Sequence, residues 1–363
     1  MIPLFKVHTP ENLGKALEET FQSGFITEGD KSDQFEKMFG NFIGNDNCCL
    51  VNSCTSALTL AYDMSGVGPD TEVISTPMTC MATNEPIHQM GAKIVWADVD
   101  PETGNIDPQS VKDKITSKTV AIVGVHWSGL PFDIDGIGQI AKENGLKVIE
   151  DAAHALGSKY KGEYIGNHSD YVCFSFQAIK HLTTGDGGAI FANNAKDANL
   201  IRKLRWFGLD RKYKGSKWEQ DIDRAGYKFH MNNINATIGL SQMPHLEKII
   251  GSHISNGMFY DREIHNPYIK KLRKDSDKES AYWIYSVLVD RPQELKQYLA
   301  EHGIASDVVH VRNDKYSVFK EYRAKNLKGC DYFCSSLLNI PVGWWLTAQH
   351  RDHIVTTLND WRK

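Results

Sequence analysis

One lysine stands out by its surroundings. The run Phe174-Ser-Phe-Gln-Ala-Ile-Lys180 leads out of an apolar, strand-like segment, and Thr183-Thr-Gly-Asp-Gly-Gly188 follows, where glycine lets the backbone bend tightly. A lysine at the mouth of a sheet, short of counter-charges, has a lowered pKa and can attack a carbonyl carbon to form a Schiff base. Upstream, Lys147-Val-Ile-Glu-Asp151 ends a second apolar run in an acid. A carboxylate at that place can pair with a ring nitrogen and keep it protonated, so that the ring withdraws electrons. Earlier still, Val51-Asn-Ser-Cys-Thr55-Ser-Ala-Leu58 reads as strand, turn of small residues and helix. Free amides and the positive end of the helix dipole make such a turn a phosphate cradle, with Thr55 and Ser56 hydroxyls as added donors. Each feature alone has a plainer reading: a surface lysine beside a glycine turn, a helix N-cap, an ordinary capped helix. Their company in one chain gives them weight.

The elements that must position these residues follow from periodicity. Short β-branched runs at Cys48 to Asn52, Glu72 to Thr76, Lys93 to Ala97, Thr119 to Val125, Lys147 to Asp151, Tyr171 to Phe176 and Ala189 to Ala192 read as strands. Helical patterns at Thr55 to Tyr62, Pro108 to Ile115 and Ile134 to Asn144 fall between them. The alternation predicts an α/β layer with a mostly parallel, doubly covered sheet, whose chemistry gathers at the carboxyl ends of the strands. After Gly226 the texture changes to a long helix over Ile234 to Ile250, a strand at Trp283 to Val289, and helices near Pro292 to His302 and Ala348 to Trp361. The expected organisation is a large domain over 1–245, with residues 1–30 an N-terminal arm and helix, and a smaller α+β domain over 246–363.

Whole-chain properties exclude several classes. With 363 residues, 41% hydrophobic and 24% charged, the chain is neither disordered nor fibrous. A net charge of -4 provides no global basic field for nucleic acid or an anionic membrane. No run is apolar enough to span a bilayer and the start carries no secretory pattern, so a cytoplasmic location is expected. The 7 cysteines include no CxxC and no histidine at ligand spacing, which predicts reduced thiols, no disulfide framework and no metal site.

Gly24-Phe-Ile-Thr-Glu-Gly29, Asn52-Ser-Cys-Thr-Ser-Ala-Leu58, Val125-His-Trp-Ser-Gly129, Glu150-Asp-Ala-Ala-His-Ala155, the Lys180 run, Gly226-Tyr-Lys-Phe-His-Met231 and Ile340-Pro341 carry a resemblance over nearly the whole chain. In this order they resemble the DegT/StrS group of sugar aminotransferases, enzymes of fold type I that depend on pyridoxal 5'-phosphate (PLP). The resemblance implies Lys180 as the lysine that holds PLP and Asp151 as the partner of its pyridine nitrogen. It places Ser53, Cys54, Thr55, Ser56 and Ser175 at the phosphate. His154 falls where the family has glutamine near the PLP hydroxyl, and Gln177 replaces a frequent histidine. Cys80 or Met81 stands where many members stack an aromatic ring, and Lys228 where an asparagine of the neighbouring subunit reaches the phosphate. His126 matches the histidine of the Val-His-x-x-Gly segment, as a catalytic residue or a satisfied strand-end histidine.

For substrate, the loop Arg211 to Lys217 offers four cations around Tyr213, as a diphosphate site or as a ligand-free basic loop. His310 and Arg312 are further candidates, whereas Trp344 and Trp345 read as core or interface aromatics. The expected reaction moves an amino group from L-glutamate to a nucleotide-linked keto sugar, with a 4-keto-6-deoxy sugar preferred. A 3-keto sugar or an oxidised sugar acid also fits, in amino-sugar biosynthesis for surface polysaccharide or a glycosylated metabolite. Other readings are a PLP-dependent 3-dehydratase, which carries histidine in place of the lysine, and a non-catalytic sugar-binding regulator on the same fold. A homodimer with shared active sites is the expected assembly.

Overall fold

The computed structural model describes residues 1–216 and 219–362. Nine strands lie in the first part of the chain: β1 (Cys48–Val51), β2 (Glu72–Ser75), β3 (Lys93–Trp96), β4 (Thr119–Val125), β5 (Lys147–Asp151), β6 (Lys159–Tyr160), β7 (Glu163–Tyr164), β8 (Tyr171–Ser175) and β9 (Gly188–Ala192). Seven of them form one sheet in the order β1-β9-β8-β5-β4-β2-β3. All pairings are parallel except those of β9, which runs against β1 and β8. This is the mostly parallel mixed sheet between helices that the sequence predicts. Successive strand residues face opposite ways: Cys49, Val51 and Val73 enter one apolar layer, and Cys48, Leu50 and Ile74 enter the other. Buried on both faces, such strands read as continuous apolar runs, which is why β4 and β5 have the limits that the sequence predicts.

The topology decides where chemistry can occur. The carboxyl ends of β1, β4, β5 and β8 lie along one edge, and the reversed strand β9 brings its amino end, Gly188, to the same edge. The expected single helix over Ile234 to Ile250 is instead two helices, Asn233–Gln242 and Leu246–Glu263, joined by a 3-10 turn at Met243–His245. Pro244 lacks the N–H that would continue the ladder.

A third apolar cluster, including Tyr260, Val287, Leu295, Leu338 and Ile354, surrounds a small antiparallel sheet of β10 (Lys270–Lys271), β12 (Tyr285–Leu288) and β13 (Leu337–Ile340). A further strand, β11 (Lys278–Glu279), pairs with β6. Ile2 belongs to that third cluster: its amide donates to the Gly303 carbonyl at 2.7 Å, and its carbonyl accepts from Ala305 at 3.0 Å. The N-terminal segment therefore packs on the C-terminal part of the chain. Among the described residues no helix is long and apolar enough to cross a membrane, and no cluster of His, Cys, Asp or Glu could hold a metal ion.

Candidate active site

A cavity of about 570 Å³ opens at the edge where the strand ends converge. Its walls include Ser53, Cys54 and Thr55 after β1, Asp151 and His154 at and after β5, and Ser175, Gln177 and Lys180 at and after β8. The sequence brings these groups together because each sits at, or just beyond, the end of a parallel strand.

Lys180 is half-buried in this cavity. Its loop is pinned at both ends, by Phe176 N–H to Gly187 O and Thr184 N–H to Phe176 O, each 2.9 Å, and in the middle by the indole N–H of Trp283 to Ile179 O at 2.9 Å. The Lys180 ammonium stands 3.7 Å from the Trp283 ring centroid. Burial pushes its pKa down to about 8, against the pull of nearby Asp151. An amine so placed is neutral in about a tenth of molecules at pH 7, far more than an ordinary lysine, and is a competent nucleophile and base. The indole face favours the cation, so Trp283→Phe, which keeps the burial but weakens that attraction, is expected to lower the pKa further. Amine labelling of Lys180 in cofactor-free protein, followed against pH, would then rise at lower pH than in wild type; an unchanged profile removes Trp283 from this role.

Asp151 is buried, and its two carboxylate oxygens accept from Thr83 Oγ1 at 2.6 Å and from the Ala153 amide at 3.1 Å. Thr79 in turn donates to Thr83 at 2.7 Å. Burial raises the Asp151 pKa, while these hydrogen bonds and Lys180 oppose the rise. His126 faces away from the cavity. Its Nδ1 accepts the Phe132 N–H at 3.3 Å, so its proton is on Nε2, which donates to buried Glu150 at 2.8 Å. That geometry is the satisfied strand-end histidine.

The helix Cys54–Met64 begins at Ser53, whose hydroxyl accepts from the Ser56 amide at 3.0 Å and donates to the Ser56 hydroxyl at 2.9 Å; Ser56 passes its own proton to Asn52 at 2.6 Å. The Ser53 and Ser56 side chains thus hold the turn, and the first-turn amides of Cys54 and Thr55 remain for an anion. Gly188 is required beside them. A Cβ there would lie 2.7 Å from both the Cys54 nitrogen and the Phe174 carbonyl oxygen. Gly188→Ala is expected to cost about 1–3 kcal/mol of stability by forcing the turn away from the sheet, read as a lower Tm, and to weaken phosphate binding.

His154 and His310 both line the cavity, with Nε2 atoms 3.3 Å apart, and His154 stacks on Trp283 at 3.9 Å. Cys80, exposed at the start of the helix Met81–Gln89, lines the cavity, and Met81 packs into the apolar layer instead. The Ser175 hydroxyl accepts the Gln177 N–H at 3.3 Å. Other candidates lie elsewhere. Arg211 pairs with Glu28 at 2.8 Å and lies over Trp206, and the Lys217 end of its loop lies outside the described residues. Arg312 is buried in bidentate contact with Asp314, both bonds 2.7 Å, and also pairs with Asp331. Lys228 is exposed, its carbonyl 3.4 Å from the Asn52 amide nitrogen. Trp344 and Trp345 sit behind Lys180 in a separate small void.

Sequence reading did not single out Trp283, Phe5 or Thr83 for this site. Trp283 looked like the start of a buried strand, and the stacking of Phe5 on Trp283, centroids 5.2 Å apart, joins segments remote in sequence. For Thr83 a signal existed, since it lies in the segment following β2 that ends at the same sheet edge.

Residues 8–359 match the profile of the DegT/DnrJ/EryC1/StrS aminotransferase family. The chain is 31% identical over 336 residues to the UDP-4-amino-4,6-dideoxy-N-acetyl-beta-L-altrosamine transaminase of Campylobacter jejuni, covering 90% of this chain and 88% of that protein. The crystal structure of sugar aminotransferase CalS13 from Micromonospora echinospora superposes with a TM-score of 0.96 at 34% identity, covering 99% of this chain and 100% of that one. Spr1654 of Streptococcus pneumoniae in its PLP form gives a TM-score of 0.90 at 27% identity, over 99% of this chain and 97% of that one. The chain belongs to the DegT/DnrJ/EryC1/StrS family and is a PLP-dependent sugar aminotransferase.

Proposed function

We propose that the enzyme takes an amino group from L-glutamate and delivers it to a keto sugar carried on a nucleotide diphosphate, with a 4-keto-6-deoxy sugar as acceptor, and that PLP occupies the cavity described above. The observation that carries this reading is the half-buried amine of Lys180, pushed down to about 8, in one cavity with the buried carboxylate of Asp151. The residues fit the cofactor. The Cys54 and Thr55 amides suit its phosphate, Asp151 is a buried acid that needs a cation opposite, and the buried Nδ1 of His154 has no partner among the described residues. When bound, PLP supplies an aldehyde for amines and a ring that withdraws electrons.

The protein's own groups do the rest. Lys180 would tether the cofactor, and its Nζ, once released, would be the base that takes the donor's α-proton and the acid that gives it back. With the keto sugar bound, the same amine would serve as acid and base in the opposite direction. Asp151, itself held by Thr83 and the Ala153 amide, would face the ring nitrogen and keep it protonated. The exposed side chain of Lys228 is free to reach the phosphate of a neighbouring subunit in a homodimer. The relative from Campylobacter jejuni, named for a UDP-linked amino sugar, supports the substrate class.

Borohydride reduction followed by peptide mass mapping is expected to place the pyridoxyl group on Lys180, and an adduct elsewhere refutes the assignment. Incubation with glutamate and a panel of keto sugar nucleotides is expected to release oxoglutarate with a 4-keto-6-deoxy acceptor. Elimination of water without amination would instead favour the dehydratase reading.

A further inference from the structure

One asparagine ties the acid of this site to the C-terminal part of the chain. Asn313 opens a short 3-10 turn ahead of β13 and is only 1% exposed. Its backbone N–H donates to Pro77 O at 2.8 Å, and its side-chain Nδ2 donates to Thr79 O at 2.8 Å and to Val311 O at 3.2 Å. Its Oδ1 accepts from Asn84 Nδ2 at 2.7 Å. Asn84 is fixed in turn, because Nδ2 also donates to Thr76 O at 3.1 Å and Oδ1 accepts from the Ser75 hydroxyl at 2.6 Å. Carbonyls facing each nitrogen admit one orientation of each amide. An asparagine at this depth is costly unless its polar atoms are met, and here the donors and the acceptor all are.

The two ends of this bridge belong to different segments. Pro77 and Thr79 lie in the loop after β2, whereas Asn84 lies in the helix Met81–Gln89 that follows it. Between the two attachments, the Thr79 and Thr83 hydroxyls meet at 2.7 Å. An ionised carboxylate only accepts, so the single hydroxyl proton of Thr83 goes to Asp151 Oδ2 at 2.6 Å, and the proton between the two threonines comes from Thr79. Two hydroxyls thus donate in series and end on the acid, and bonds in series polarise one another by about 10–30% each. A displacement of the loop against the helix would part the hydroxyls, and Asn313 grips both sides. The same stretch of chain reaches the chamber: Val308, Val309 and His310 line the cavity, as do Thr79 and Cys80.

We propose that Asn313 is a positioning residue for the amino transfer: by joining the Thr79 carbonyl to the Asn84 amide it keeps the Thr79 and Thr83 hydroxyls in line, both donating toward Asp151, so that this acid stands as a carboxylate opposite the ring nitrogen of the cofactor. The inference rests on PLP occupying the cavity with its ring nitrogen at Asp151. It accounts for a fully bonded, buried asparagine that reaches across 234 residues of chain to a loop carbonyl.

The test reads the ring nitrogen directly. Solid-state nitrogen NMR of the holoenzyme, loaded with PLP labelled with 15N at that atom, is expected to show it protonated in wild type. Asn313→Ala, which removes the bridge, and Asn313→Leu, which fills its space without polar atoms, should move the signal toward the neutral ring and lower kcat roughly three- to tenfold. Thr79→Val, which loses only the hydroxyl, should do the same, and Thr79→Ser should restore both readouts. In the Thr79→Val background, Asn313→Ala should lower Tm but move neither the signal nor kcat any further. Asn313 variants with a lower Tm and a wild-type nitrogen signal reduce the residue to a structural one, and a full second loss in the double variant shows that it acts by another route. Should both Asn313 variants fail to fold, Thr79→Val decides, since an unmoved signal there removes the relay. Borohydride mapping of each variant keeps the two readings apart: an adduct away from Lys180 fells the site assignment and this inference together, whereas an adduct on Lys180 with unmoved nitrogen signals fells the role of Asn313 alone.

Discussion

Lys180→Arg is expected to bind PLP yet lose amino transfer by at least about 10⁴-fold, because one amine serves as tether, base and acid, and a guanidinium is neither nucleophilic nor deprotonated in a protein. The phosphate cradle at Ser53 to Ser56 and the pinned loop from Phe176 to Gly187 do not use the lysine side chain. The variant should therefore fold, and its far-UV circular dichroism should match wild type. Oxoglutarate release with saturating glutamate and acceptor measures the loss. Because the arm is missing from the first exchange as well as the second, single-turnover conversion with glutamate alone should fall equally. A variant that keeps wild-type turnover would show that the reacting amine is another one.

The second large effect is at Asp151. Asp151→Asn keeps the shape of the side chain and can still accept one of the two hydrogen bonds from Thr83 and Ala153, but it cannot face a ring nitrogen with negative charge. Transfer is expected to fall by about 10³-fold, in line with other losses of a charge set opposite the reacting group. Stability should move the other way. Burial raises the Asp151 pKa, so the ionised acid costs stability, a cost that grows as pH rises from the ordinary carboxylate value to the folded pKa and is fully present above it. Removing it is expected to raise the Tm of cofactor-free protein while lowering activity. Asp151→Glu should not rescue the rate, because the longer arm carries the carboxylate away from the positions set by Thr83 and the Ala153 amide. Loss of activity together with a lower Tm would mark Asp151 as a structural residue only.

The parts of this site that the sequence displays are those written in consecutive residues. Lys180 is legible because its strand, loop and glycine turn lie within one run, and Asp151 because β5 is a continuous apolar segment ending in an acid. Arg211 and Arg312 look like free cations in the sequence and are not. The first is held by Glu28, 183 residues earlier in the chain, and the second by Asp314 and Asp331. Charge pairing of that kind is a tertiary fact, and a lone arginine gives no sign of it. Trp283 shows the converse. Its one hydrogen bond to Ile179 spans 104 residues of chain, and its place under both Lys180 and His154 follows from how the small sheet docks on the strand ends. The break at Pro244 within the expected helix over Ile234 to Ile250 was written in the residue type itself, whose missing N–H ends a ladder.

Ile2 is stitched between Gly303 and Ala305, and three positions later Phe5 lies against the tryptophan that carries the reacting amine, with Leu4 also in the wall of the chamber. The leading peptide thus works as a mortised panel. Trimming it, or loading it with a fusion partner, would be an operation on the reaction vessel itself and not on a loose thread.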